Sequence, residues 1–173
     1  DALAGAAEVV LRVEALAREL GHPAVATVGQ LSVQPGAVNI VPGCCRFTLD
    51  LRHADPEAFL NLLKQADAAV AEIASRRGLA VAHQVLVQHA PQPLDSALVE
   101  AVLAAAAELG LDCPVLVSGA GHDAGIMARA FPSVMLFVQS HEGRSHSPDE
   151  WTDAPHLIAA TNLLAATLAR LAS

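Results

Sequence analysis

Apolar residues recur every three or four positions from the first turn of the chain. Leu3, Ala6, Val9, Val10, Val13, Leu16, Ala17 and Leu20 fall on one helical face, and Gly21 with Pro23 ends the run. The period then changes. Residues 25–34 read as a strand closing at Pro35-Gly36. In the next strand Cys45, Phe47, Leu49 and Leu51 alternate with Arg46, Thr48, Asp50 and Arg52. Between the strands lies Pro35-Gly36-Ala37-Val38-Asn39-Ile40-Val41-Pro42-Gly43, two Pro-Gly pairs bracketing a connection too long for a tight hairpin. Asp55-Pro56 starts a helix, a capping carboxylate followed by proline at the first helical position. Its stripe is Phe59, Leu62, Leu63, Ala66, Ala69, Val70 and Ile73, and Gly78 is its stop. A third strand is expected from Leu79 to His89.

Residues 1–89 thus read α-β-β-α-β. Two helices on one face of an antiparallel sheet make a stable ferredoxin-like sandwich in the order β-α-β-β-α-β, so the reading expects a first strand upstream of Asp1. The opening Asp1-Ala2-Leu3, with no basic leader and no initiator Met, points the same way, to a piece of something longer. Ala90-Pro91-Gln92-Pro93 reads as a linker, and residues 90–173 change to α/β syntax. Helices are expected at 95–109, 123–130 and 153–172, the last burying Leu157, Thr161, Leu164, Leu168 and Leu171. Short buried strands are expected at 115–117 and 133–138. Two strands do not make a doubly covered sheet, so this half also reads as part of a larger domain.

Composition narrows the function. Of 173 residues, 53% are hydrophobic and 16% charged, a composition with a core to bury. Acids outnumber bases 18 to 10, for a formal charge of -8, and Arg76-Arg77 is the longest basic run. A nucleic-acid partner is excluded, because nothing here neutralises a phosphate backbone, and an anionic membrane surface is disfavoured on the same ground. No apolar run is long enough for a membrane span. Cys44, Cys45 and Cys113 suit buried thiols in a reducing cytosol rather than a disulfide framework.

Chemistry concentrates in a few loops. Ser118-Gly119-Ala120-Gly121-His122-Asp123-Ala124 follows the strand at 115–117. It reads either as a tight turn capped by Asp123 or as a loop where backbone approaches a ligand and His122 orients or polarises a substrate. Gln139 to Thr152, after the strand at 133–138, is the densest ionisable cluster. His146 in it suits a neutral zinc ligand or a solvated side chain, and one ligand does not hold zinc. Arg52 is either a surface arginine paired with Asp50 or Glu57, or a fork for a substrate carboxylate. Asn39 is a turn residue or an amide donor to a carbonyl oxygen. His22, His83, His89 and His156 read as structural or solvated.

Taken together, Thr27-Val28-Gly29, the segment Pro35 to Gly43, Phe47-Thr48-Leu49-Asp50-Leu51-Arg52-His53, Ser118 to Ala124 and Ser145-His146-Ser147-Pro148 resemble the hydantoinase/carbamoylase family of zinc amidohydrolases, within the zinc aminoacylase and carboxypeptidase superfamily. The resemblance covers nearly the whole chain. It implies a cytoplasmic hydrolase of N-carbamoyl amino acids or allantoate, with two divalent metal ions, zinc by family, in an α/β catalytic domain. It also implies an inserted lid domain that makes a homodimer. Residues 1–89 then correspond to the lid without its first strand, and 90–173 to the later part of the catalytic domain. By position His146 matches the last zinc-binding histidine. Asn39 and Arg52 match the lid residues for substrate carbonyl and carboxylate, deliverable across the dimer. Gly119, Ala120, Gly121 and His122 match the wall of the substrate site. Most other metal ligands and the general base belong to a segment outside this chain, so the chain alone is expected to be inactive. Arg144, His141 and Glu142 are not family features and read as solvated surface. The alternative from another class is a non-catalytic module that dimerises or binds a small metabolite.

Overall fold

The computed structural model describes residues 1–172, which divide into two compact units, Asp1–Pro91 and a second that begins at Gln92. The first unit runs α1 (Ala2–Leu20), β1 (Val25–Gln34), β2 (Cys44–Arg52) and α2 (Pro56–Arg77). Each helix begins on an aspartate. The Asp1 carboxylate accepts from the Ala4 N–H at 3.0 Å, and Asp55 accepts from Ala58 N–H at 2.8 Å ahead of Pro56. Gly78, at φ 63°, closes α2 in the left-handed conformation that a side chain resists.

β1 and β2 form an antiparallel ribbon with Val25 opposite Arg52 and Gln34 opposite Cys44. The register shifts between Val28 and Leu31, and the Thr48 hydroxyl takes the Gln30 N–H released there, at 3.1 Å. Both helices pack on one face. Val9, Val13, Leu16, Leu62, Ala66 and Ile73 are buried, and Ala26, Phe47, Leu49, Leu51 and Val70 pack against them from ribbon and helix. The apolar set of β2 is therefore the inner face and Arg46, Asp50 and Arg52 the exposed outer one. Glu8 ties α1 to the end of α2 through ion pairs with Arg76 and Arg77.

The second unit carries α3 (Ser96–Glu108), α4 (Asp123–Met127) and α5 (Ala154–Leu171), with a single 3-10 turn at His141–Gly143. Val102, Ala105, Ala106 and Leu163 form its core, with Leu111, Cys113, Val134, Leu136 and Ala166 packed around them. Asp95 caps α3 by accepting from Leu98 N–H at 2.9 Å, and Arg170 of α5 pairs with Glu108 of α3 at 2.6 Å.

Four expectations are corrected. Residues 79–89, 115–117 and 133–138 are not strands: among the described residues only β1 and β2 pair, and a strand without a neighbour has no ladder to define it. The segment at 115–117 is not buried either, with Val115, Leu116 and Val117 at 68%, 64% and 54% exposure. On α5 the buried stripe is Leu163 and Thr167, while Leu157, Thr161, Leu164, Leu168 and Leu171 are exposed. That helix is apolar around most of its circumference, so its pattern does not select a face; packing against α3 does. The thiols are not buried: Cys44 is exposed, Cys45 and Cys113 are half-buried, and all three are free.

Candidate functional site

In the first unit the residues of interest lie at the two ends of the ribbon. Arg52 ends β2. Its Nε donates to Asp50 Oδ1 at 2.9 Å and its Nη2 to Asp50 Oδ2 at 2.5 Å, because residues two apart on a strand share a face. This side-on pair holds the Asp50 carboxyl below its usual range, and in turn pushes the Arg52 guanidinium up. Asn39 lies at the other end, in the loop joining the strands. The loop is pinned at its base by Gly43 N–H donating to Gln34 O and by Ala2 N–H donating to Pro42 O, both at 3.0 Å. At its tip Ile40 N–H donates to Ala37 O, which makes Val38 and Asn39 the two corner residues of a β-turn. Strand β2 alone, Cys44 to Arg52, spans about 27 Å. Asn39 and Arg52 of one chain are therefore not brought together.

In the second unit Ser118-Gly119-Ala120-Gly121 is an exposed or half-buried loop leading into α4. Ala120 N–H donates to the Ser118 hydroxyl at 3.3 Å, and that hydroxyl donates to Ala120 O at 3.2 Å. Neither Gly119 nor Gly121 has a positive φ, and a Cβ on either would meet nothing within 4 Å. Local backbone and packing therefore do not demand glycine here. His122, not Asp123, occupies the N-cap position of α4 and makes no side-chain cap bond. Its imidazole instead stands edge-on to Phe137, with centroids 5.7 Å apart at 71°.

The loop after residue 138 braces itself. His141 N–H donates to Trp151 O at 2.7 Å, and Arg144 pairs with Glu142 at 2.7 Å and Asp149 at 2.8 Å. Arg144 is thus exposed, as expected, and in addition clasps the loop through these two ion pairs. His146 sits at φ 56°, a conformation that costs a residue with a Cβ about 1 kcal/mol, and its N–H donates to Glu150 Oε2 at 2.8 Å. Glu150 belongs to the ionisable cluster read from the sequence, but its hold on His146 N–H, and Phe137 against His122, are not evident there. The four-residue spacing from His146 to Glu150 was the only available sign.

Among the described residues no three His, Cys, Asp or Glu side chains stand together as a metal site. The His146 imidazole has the right donor chemistry for zinc, but the donor set in these residues is not sufficient to hold the ion. No helix of the described residues is long and apolar enough to cross a membrane.

Residues 3–170 match Peptidase family M20/M25/M40, and the chain belongs to that family of hydrolases. Within it the similarity runs to the amidohydrolases. An N-carbamoyl-L-amino-acid amidohydrolase of Paenarthrobacter aurescens is 40% identical over 95% of this chain and 40% of its own length. An allantoate amidohydrolase of Bacillus subtilis is 32% identical over 99% of this chain and 42% of its own. A crystal structure of a hydantoinase/carbamoylase family amidase from Burkholderia multivorans superposes with a TM-score of 0.93, at 36% identity, over 98% of this chain and 42% of that one. The chain thus spans about two-fifths of the length of the relatives it matches.

Proposed function

We propose that this chain is the lid and the later catalytic segment of a longer cytoplasmic amidohydrolase. The enzyme cleaves the linear C–N bond of a ureido group, in an N-carbamoyl amino acid or allantoate, and the chain is inactive alone. The observation that carries the reading is the Arg52 fork. In this chain its two parallel donors are taken by Asp50, the surface pairing that the sequence also allows, and the same edge would serve a substrate carboxylate that displaces Asp50. Arg52 binds the carboxylate of the substrate. The Asn39 amide donates to the carbonyl oxygen as it gains charge, an effect worth about 3 kcal/mol for one such donor. Gly119, Ala120 and Gly121 offer a wall without side-chain bulk, and His122 orients the substrate from the start of α4.

His146 is one donor to the metal pair, zinc by family, and the remaining donors and the general base come from residues outside this chain. Because the donor set here is incomplete, the roles assigned are only binding, orienting and charge stabilisation.

The ribbon supports a homodimer. Substrate carboxylate and ureido carbonyl are only a few bonds apart, whereas Arg52 and Asn39 are separated by the length of β2. One small acid meets both only if two copies contribute, one giving Arg52 and the other Asn39. The outer edge of β2 and the extended apolar segment 79–89 are completed by a strand from outside the described residues, consistent with Val85, Leu86 and Val87 standing 64–73% exposed.

The test is Arg52→Ala in the full-length enzyme. Loss of a charge-assisted bidentate pair costs about 2–5 kcal/mol, so kcat/KM falls well over tenfold on the carboxylate substrate. On an analogue whose carboxylate is a neutral amide the wild type loses most of its advantage and the variant loses little more. Arg52→Lys does not fully rescue, because ammonium lacks the planar fork. Carboxylate selectivity that survives Arg52→Ala overturns the assignment.

A further inference from the structure

The tip that carries Asn39 has a second feature. From Pro35 to Gly43 there is no charged residue, and Asn39 holds the only polar side chain. Val38, the other corner of the turn, is at 107% exposure the most exposed large hydrophobic residue of the described chain, and Ile40 and Val41 follow at 53% and 68%. The loop is not floppy: two backbone hydrogen bonds fix its base, one closes its turn, and Pro35 and Pro42 restrict its backbone. A rigid apolar corner loses little conformational freedom when it is covered, so covering it yields a net gain.

We propose that Val38 is a specificity-determining residue, which packs on the aliphatic substituent of the α-carbon, the carbon bonded to the ureido nitrogen, and so directs the enzyme to N-carbamoyl amino acids with apolar side chains rather than to allantoate. The proposal rests on the reading of Asn39 as the carbonyl contact. Consecutive Cα atoms are about 3.8 Å apart, so Val38, the other corner of the same turn, is within reach of a substituent on the α-carbon of a substrate whose carbonyl Asn39 contacts. In an N-carbamoyl amino acid that substituent is the side chain. In allantoate it is a second ureido group, whose donors and acceptors no side chain of the tip other than that of Asn39 serves. Burying them against valine leaves them unpaired, a cost that discriminates strongly against the polar substrate.

The experiment measures kcat/KM of the full-length enzyme and its Val38 variants on N-carbamoyl-L-leucine, N-carbamoylglycine and allantoate. Val38→Ser is expected to lower the ratio of the leucine to the glycine derivative about five- to tenfold, and to raise allantoate relative to leucine. Val38→Thr, equal in shape but with a hydroxyl in place of a methyl, moves both ratios in the same direction by less. Ratios that stay within twofold of wild type, or an equal loss on all three substrates, overturn the role of Val38 and leave the function standing. Failure of the unmodified full-length enzyme to hydrolyse any of the three overturns the functional reading itself, and the role of Val38 with it.

Discussion

The ribbon of the first unit and the apolar segments of the second both carry signals for extended chain, yet among the described residues only the ribbon pairs. Strands β1 and β2 are joined by nine residues and find each other locally, at the small entropic cost of closing a short loop. Their alternation gives one face to α1 and α2 and the other to solvent. Val115-Leu116-Val117 and the run from Ser133 to Val138 are apolar without alternation, the pattern of strands covered on both faces. Such strands take partners distant in sequence, and among the described residues there are none. Hydrophobic pattern thus identifies a segment that can be extended, but a ladder requires a second strand.

The contrast is broken or sharpened by substitution. Leu62 is 1% exposed in the first core, and Leu62→Ala is expected to cost about 2–5 kcal/mol in urea unfolding. Leu164, on the stripe of α5 that reads as buried by pattern, is 49% exposed, and Leu164→Ala is expected to change stability by about 0.5 kcal/mol or less. Comparable losses at the two sites would mean that the outer face of α5 is packed in solution.

A smaller effect belongs to the link between α1 and α2. Arg77 first, then Arg76, hold the Glu8 carboxyl at about 2, against an ordinary 4.5. A carboxyl lowered by folding contributes stability fully above its unfolded value and loses it as pH falls toward its folded one. Thermal melts of wild type and Glu8→Gln should therefore differ above pH 4.5 and converge as pH drops from 4.5 to about 2. The difference stays small because the pair faces solvent. Parallel curves through that window would remove Glu8 from the account.

Much of the first unit is legible in the sequence because its signals are local. Asp55-Pro56 and Gly78 bound α2 to the residue, since cap and stop are short-range chemistry, and the period of two in β2 assigns Arg52 to the outer face. The α5 face was not legible, since Leu157, Leu163, Leu164 and Leu168 are alike in kind and only contact with α3 separates them. The braced loop was not legible either. That Arg144 clasps Glu142 and Asp149, and that Glu150 holds a left-handed His146, depends on backbone angles that composition does not encode.

The central claim is that Arg52 and Asn39 serve one substrate from two copies of the chain. Subunit mixing tests it directly. Full-length Arg52→Ala and Asn39→Ala enzymes, each nearly inactive, are mixed in equal amounts under conditions that exchange subunits, with the mixed dimer verified by native mass. Half of the dimers are then mixed, and each mixed dimer holds one site with both residues intact, so activity should return to about one quarter of wild type. A mixture that contains the mixed dimer but shows only the residual activity of the two variants would contradict the account.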